Sequence, residues 1–391
     1  MSFYDELEDF PPDPIFGIDI AFRNDGRKEK YSFVTGYYLN EDLVCPLLDT
    51  VAEVEAEIAE ERLSRTYLAP TGEPGYLAAM KELVFGKAEH KQIVGAQTVG
   101  GTGALYLTGR IASNWTDEIA ISDPTWANHW AIYKKSGLQT IPYPYFKNGK
   151  FLFDQMLQTL GALPKKTAFL VHTSSHNPTG VDLSKEQWEE LLHCTQKNEL
   201  FPILDMAYQG FAQTSEEDAF APRLFFKEGL EFALTYTGAK NFSLYSERVG
   251  AVFFVAKDSK RAKLVGENIR KEIRPTYSNP PLHGPLIVKR ILQSAEKKAR
   301  WEKELGTMRK RMDSVRNKFC QLLAQKDPQT DWSCARNGKG LFFCSELSLE
   351  QMKELREVDG MYVGPMGRVN LTGLNAKNME QFVDAFLRVR K

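Results

Sequence analysis

Between about residues 93 and 256, short apolar runs that close in polar or glycine-rich turns alternate with segments of helical periodicity. That alternation is the rhythm of a parallel sheet wrapped by helices. Thr167-Ala-Phe-Leu-Val-His-Thr173 reads as one strand. Ser184 and Gln187 then have the form of a capping box, and Trp188, Leu191 and Leu192 place apolar side chains at i, i+3 and i+4 of a helix running to about Asn198. Phe201-Pro-Ile-Leu-Asp205 returns as a strand, and its aspartate falls at the carboxyl end, where ligands bind in open α/β sheets. Residues 231–237 and 249–256 supply two more strands. Pro275, Pro280, Pro281 and Pro285 punctuate a turn-rich link. Beyond it Trp301, Leu305, Met308, Met312, Val315, Phe319 and Leu322 recur every three or four residues, as one long amphipathic helix. Residues 341–390 have the pattern of a small α+β unit.

A chain of 391 residues outgrows a single hydrophobic core, so two unequal domains joined by the long helix are expected. Residues 1–44 form an N-terminal arm and part of the small domain, 45–300 the large domain, and 301–391 the linking helix and the rest of the small domain. Fifty Lys plus Arg stand against 51 Asp plus Glu, a net charge of −1 that disfavours nucleic acid and anionic membrane surfaces as partners. No stretch approaches the roughly 20 apolar residues of a membrane span. The acidic start Met1-Ser-Phe-Tyr-Asp-Glu lacks the apolar core of a signal peptide, so a cytoplasmic location is expected. The five cysteines, Cys45, Cys194, Cys320, Cys334 and Cys344, show no C-x-x-C spacing and read as reduced, mostly buried thiols. His172 and His176 are four apart, but the strand pattern before them and Pro178 after them remove the helix that would let them share an ion. No metal site is expected.

Chemistry concentrates at the strand ends. Val99-Gly-Gly-Thr-Gly103 follows a strand and opens an apolar helix at Ala104, so free backbone N–H groups and the helix dipole face whatever sits above the glycines. A phosphate is the natural guest. Tyr106 stands where G-x-G-x-x-G requires its last glycine, which removes the main support for a nicotinamide-dinucleotide site. Lys240 follows Thr237-Gly-Ala239 at the end of a strand, and a buried lysine is costly unless it is paired or chemically used.

Taken in order, Ser175-His-Asn-Pro-Thr-Gly180, Asp205-Met-Ala-Tyr-Gln-Gly-Phe211, Ala239-Lys-Asn-Phe-Ser-Leu-Tyr-Ser-Glu-Arg-Val-Gly250, Tyr277-Ser-Asn-Pro-Pro-Leu-His-Gly284 and Gly367-Arg-Val-Asn370 resemble the aspartate and aromatic-amino-acid aminotransferases. These are class I, fold-type I enzymes that use pyridoxal 5′-phosphate. The resemblance runs from Pro12-Asp-Pro-Ile-Phe16 to Arg368. It implies an α/β fold-type I chain: a large domain with a mostly parallel sheet wrapped by helices, a smaller α+β domain, and a homodimer with shared active sites. Lys240 matches the lysine that holds the cofactor aldehyde as a Schiff base and carries the substrate α-proton. Asp205 matches the carboxylate paired with the pyridine nitrogen. Tyr208 and Asn177 match the groups that hydrogen-bond the ring's phenolic oxygen, and Trp126 matches the aromatic stacked on the ring. Gly101, Thr102, Thr237 and Arg248 match the phosphate cradle. Tyr67 and Arg274 match residues given by the neighbouring subunit, to the phosphate and to the substrate's distal carboxylate. Arg368 matches the arginine that binds the α-carboxylate bidentately, and Gly36 the glycine beside it.

The resemblance has departures. Ala239 stands where the family usually carries a second hydroxyl, so one phosphate hydrogen bond, roughly 0.5–1.5 kcal/mol, is expected to be missing. Leu39 and Thr66 replace a lysine and an asparagine common in aspartate-preferring relatives, and a more apolar mouth would suit aromatic side chains. The implied reaction is amino transfer between aspartate, tyrosine or phenylalanine and 2-oxoglutarate. Rival readings on the same scaffold are a lyase or β-decarboxylase acting on aspartate and a catalytically silent binding protein.

Overall fold

The computed structural model describes residues 2–8, 14–87 and 90–391. Pro12 and Asp13 of the first matched segment lie outside them, and a helix, Pro14–Asn24, follows directly.

Seven strands form the central sheet: β1 (Ile93–Val99), β2 (Glu118–Asp123), β3 (Gln139–Pro144), β4 (Ala168–His172), β5 (Phe201–Met206), β6 (Phe232–Thr237) and β7 (Val249–Val255). Their order across the sheet is β1-β7-β6-β5-β4-β2-β3. β2 through β6 pair in parallel, while β7 runs antiparallel to both β6 and β1. Six strands therefore point the same way, and their carboxyl ends share one edge. β7 starts at that edge, with Val249 opposite Val99 and Gly250 opposite Thr237.

β4 and β7 are buried along their whole length, which is why they read as unbroken apolar runs rather than alternating ones. The two-residue period still sorts their side chains: Phe169 and Val171 enter one apolar cluster, Ala168 and Leu170 the cluster on the opposite face. Helices cover both faces, among them α1 (Gly100–Ala112), Lys185–Lys197 and α2 (Ser259–Thr276). The expected capping box is present, Ser184 Oγ accepting from Gln187 N–H and Gln187 Oε1 accepting from Ser184 N–H.

Two expectations shift. The helix after the glycines starts at Gly100, so the glycines form its first turn instead of preceding it. The proline-rich link keeps its turns over residues 277–282, Pro280 and Pro281 among them, but its ends are helical: Pro275 lies in the last turn of α2, and Pro285 is the third residue of a helix, His283–Gln293. A proline in a first turn lacks only an N–H that has no helical partner there, so it punctuates less than its sequence position suggests.

The long helix, α3, spans Ala295–Lys326, wider at both ends than its apolar spacing, with Ser294 accepting from Lys297 N–H as its cap. Its first half, Trp301 to Met312, packs with the sheet's core. Its second half, Val315 to Leu323, packs in a separate apolar cluster with Phe33, Phe343, Val369, Phe382 and Phe386. Around that cluster lie the strands Phe342–Cys344, Met361–Tyr362 and Arg368–Asn370 and the helices Leu349–Asp359 and Met379–Arg390. Tyr31–Ser32 pairs with Met361–Tyr362, which ties the N-terminal segment to this unit. All five cysteines are free; Cys320 and Cys344 are buried and the other three only partly so, short of the expected mostly buried set.

Candidate active site

The shared edge of the sheet collects residues far apart in sequence. Asp205, the penultimate residue of β5, is a carboxylate buried between β4 and β6. Thr235, on β6, donates its hydroxyl to Asp205 Oδ1 (2.7 Å). His129 Nε2 lies 3.3 Å and His172 Nε2 3.8 Å from Asp205 Oδ2. Thr125 Oγ1 at 2.8 Å from His129 Nδ1 fixes that ring's orientation. Burial alone would raise the Asp205 carboxyl, yet the two imidazoles and Thr235 outweigh it and hold the group below the usual carboxylate range. The site thus contains a permanent buried anion. His129, His172 and Asp205 also place donor atoms within 4.8 Å of one another, a spacing a metal ion could use and one that the His172/His176 pairing does not anticipate. His176 engages Thr179 and Ser122 instead.

Burial, and His129 beside it, pushes His172 down from 6.5 to about 3. A depressed folded-state value contributes stability that is present above the unfolded pKa and lost as pH falls through the interval. His172 alone is therefore expected to cost the fold about 2 kcal/mol between pH 7.5 and pH 5, and His176, depressed by the same burial, acts in the same direction. Urea unfolding at the two pH values checks this: His172→Gln should flatten the acid-side loss, and an unchanged slope would remove the histidine as its source.

Lys240 follows β6 and is partly buried, its Nζ 5.2 Å from the ring centre of Tyr245 and 5.9 Å from that of Tyr208. Burial, then the positive charges of Arg248 and Arg368, lower its amine to about 8, with Asp205 opposing. About a tenth of it is then uncharged at pH 7, far more than for an ordinary lysine, and a nucleophile or base requires that form. Ala239, beside it, is buried.

A donor-lined seat lies where β1 ends. Gly100 has φ +65° and donates its N–H to the Arg248 carbonyl (2.8 Å), while Arg248 itself holds φ +55° as it enters β7. A Cβ on Gly100 would lie 2.6 Å from Arg248 Nη2, and one on Gly101 would run into the Thr237 hydroxyl. Only glycine leaves room here, and Thr102 with the first-turn N–H groups of α1 beyond that of Gly100 completes a donor-lined seat suited to a dianion. Arg248 is exposed and gives one N–H to the Tyr245 carbonyl (2.9 Å), leaving donors for a ligand.

Arg368 is buried, with its guanidinium over the Phe342 ring at 4.7 Å. Nη1 donates to Asn177 Oδ1 (2.9 Å) and Nη2 to the Val34 carbonyl (2.5 Å), but Nε is buried without a partner. A buried cation with an orphaned donor and no acid in contact among the described residues is a costly arrangement that an incoming carboxylate would relieve. Tyr208 is raised by burial, opposed by Arg368 and by Asn177 beside its hydroxyl. A Cβ on Gly36 would be 3.9 Å from both Tyr208 Oη and the Phe342 ring, so Gly36 roofs this corner. The half-buried Trp126 stands edge-on to His129, ring centres 5.2 Å apart.

Eleven expected residues therefore meet at this edge: Gly36, Gly101, Thr102, Trp126, Asn177, Asp205, Tyr208, Thr237, Lys240, Arg248 and Arg368. Tyr67 and Arg274 do not join them within this chain. Tyr67 is 92% exposed and lines a separate surface depression with Arg274, Tyr277 and Asn279. Arg274 Nη1 donates to Ser278 Oγ (2.5 Å). Leu39 is buried, its N–H on Thr372 Oγ1, and Thr66 belongs to a cavity with Tyr67, so neither opens onto Lys240 as an apolar mouth of this chain. Residues that sequence reasoning missed are His129, Thr235 and Phe342. Thr235 could have been found from the two-residue period that puts it on the face of Thr237.

The family model of the class I and II aminotransferases matches residues 28–386. An aspartate aminotransferase of Pseudomonas aeruginosa is 36% identical, with 100% of each chain covered. An aromatic-amino-acid aminotransferase of Escherichia coli K12 is 34% identical over 99% of this chain and 100% of its own. Among solved structures, the aromatic-amino-acid aminotransferase from Burkholderia pseudomallei covalently bound to pyridoxal phosphate superposes with a TM-score of 0.95 at 37% identity, over 100% of both chains. The broad specificity aminotransferase from Leishmania mexicana gives 0.95 at 30% identity, over 99% of this chain and 98% of its own. With its sheet, its edge of charged groups and nearly its whole length accounted for by these matches, the chain belongs to the class I and II aminotransferases.

Proposed function

We propose that this aminotransferase moves amino groups reversibly between aspartate or an aromatic amino acid and 2-oxoglutarate, using pyridoxal 5′-phosphate at the carboxyl edge of the sheet. When bound, that group supplies an electron sink for the carbon that loses its proton. The donor set fits it: a seat only glycine can line, a buried anion, a lysine with a lowered pKa and a guanidinium with an unused donor. Asp205 pairs with the ring nitrogen and keeps it protonated, steered by His129, His172 and Thr235. Asn177 and Tyr208 hydrogen-bond the phenolic oxygen, and Trp126 covers the ring. Gly101, Thr102, Thr237 and Arg248 hold the phosphate, and Tyr67 of a second copy adds to them. Arg368 binds the substrate α-carboxylate beside Gly36, and Lys240 Nζ takes and returns the proton at the α-carbon. Arg274, also from a second copy, receives a distal carboxylate. The working unit is a cytoplasmic homodimer, each chain divided into the arm, the large domain and the small domain at residues 44 and 300.

The observation that carries this reading is the convergence of Lys240, Asp205 and the orphaned Arg368 Nε on one edge. Initial rates with aspartate, tyrosine and phenylalanine against 2-oxoglutarate test it. Oxaloacetate or an aromatic 2-oxo acid should appear together with glutamate in equal amounts. Alanine and carbon dioxide from aspartate would instead mark a β-decarboxylase.

A further inference from the structure

Arg316, on α3, is 3% exposed and has no carboxylate within ion-pair distance among the described residues. Its guanidinium is spent on main-chain oxygens. Nη1 donates to Ala335 (3.0 Å), and Nη2 faces Lys339 (3.2 Å), Gly340 (3.1 Å) and Phe342 (2.8 Å). A buried guanidinium is an expensive way to gather carbonyls, and an apolar side chain of similar volume would fill the space at less cost. What it gathers is the segment that ends in Phe342, the ring beneath Arg368.

A second, half-buried acidic group does the mirror-image task. Asp182 accepts N–H groups from Ser175 (2.7 Å) and His176 (2.8 Å), the turn that delivers Asn177 to Arg368 Nη1. The two segments touch. A Cβ on Gly340 would run into Ser175 Oγ, one on Gly180 would strike the Phe342 carbonyl oxygen, and Lys339 N–H donates to the Gly180 carbonyl (2.6 Å). Arg316 and Asp182 thus each lock one of two abutting segments, and those segments supply Asn177 and Phe342, two of the contacts that aim the Arg368 guanidinium.

From this arrangement we propose that Arg316 and Asp182 are a pair of positioning residues that set the carboxylate seat of Arg368 without touching substrate. The proposal rests on the reading of Arg368 as the α-carboxylate site. Misplacing a binding group by about 1 Å can cost up to roughly 10²-fold. Arg316→Met is expected to raise KM for aspartate and for phenylalanine alike, by about tenfold, because both bear the same α-carboxylate, while kcat changes far less. Asp182→Asn, which keeps the shape and one acceptor oxygen, should shift both in the same direction by a smaller factor, and it carries the test if Arg316→Met does not fold.

The deciding measurement is calorimetric binding of 3-phenylpropanoate, a carboxylate with no amino group, to the holoenzyme. Its Kd should rise about tenfold in Arg316→Met and measurably in Asp182→Asn. A lowered melting temperature with unchanged Kd in whichever variant folds would reduce these residues to structural supports and overturn the proposal. Arg368→Leu serves as reference. If it abolishes binding while Arg316→Met and Asp182→Asn do not weaken it, the positioning role fails and the seat stands. Should Arg368→Leu bind normally, the seat itself is misassigned and the proposal falls with it.

Discussion

Lys240→Ala is expected to lower turnover by roughly 10⁴-fold, the upper range for removing a positioned acid–base group, with cofactor still bound. The alanine would add no strain, since its neighbour Ala239 is already small and buried and the Lys240 backbone carbonyl, which accepts from Ser243 N–H (3.2 Å), is kept. Asp205, the phosphate seat and Arg368 would remain, which is why binding should survive the loss of chemistry. Reducing the wild-type holoenzyme with borohydride and mapping the modified peptide must find the cofactor on Lys240. Attachment to any other lysine, or a variant with more than a few per cent of wild-type turnover, would overturn the assignment. With its amine lowered to about 8, Lys240 in the apoprotein should also react with small aldehydes along a pH curve centred near that value.

The second large effect concerns Arg274. It sits with the highly exposed Tyr67 on the surface, in a depression with no hydrogen bond, ion pair or ring contact to the Lys240 group among the described residues. Arg274→Leu is expected to raise KM for aspartate roughly 10- to 150-fold, the cost of a charge-assisted pair at about 1.5–3 kcal/mol, and to leave phenylalanine nearly untouched. If Arg274 serves a neighbour's site, mixing inactive Lys240→Ala chains with Arg274→Leu chains restores activity. Each mixed dimer has one site with both lesions and one with neither, so random pairing of equal amounts frees roughly a quarter of all sites. Aspartate turnover that stays at the average of the two mutants, once exchange is confirmed by native mass spectrometry, would place both residues in one chain's site or rule out the dimer.

Much of the architecture could be read in advance because it rests on short-range periodicity. β4, β5, β7, the capped helix after Ser184 and α3 are signalled by spacing within a dozen residues, and Asp205 by its place at a strand's end. The helix around Pro285 was hidden by a residue that usually disrupts helices but costs little in a first turn. His129 and Thr235 were hidden for another reason: they meet Asp205 only because β2, β4, β5 and β6 lie side by side, an ordering no local window contains. Tyr67 and Arg274 were legible only through resemblance, since within one chain nothing joins them to the chemistry.

α3 has a mechanical consequence. At 1.5 Å per residue its 32 residues make a rod roughly 48 Å long, clamped at one end in the sheet's core and at the other in the cluster around Phe319. Movement of one cluster against the other must flex this rod, since no break interrupts it, so excursions are small and elastic. Its far end lies roughly 20 Å beyond Met312, and a bend of about 5° there carries that end through roughly 2 Å. Val369, next to Arg368, packs in the far cluster and Asn177 follows a strand of the sheet, so a flexure this slight is on the scale of the 2.9 Å bond between Arg368 and Asn177.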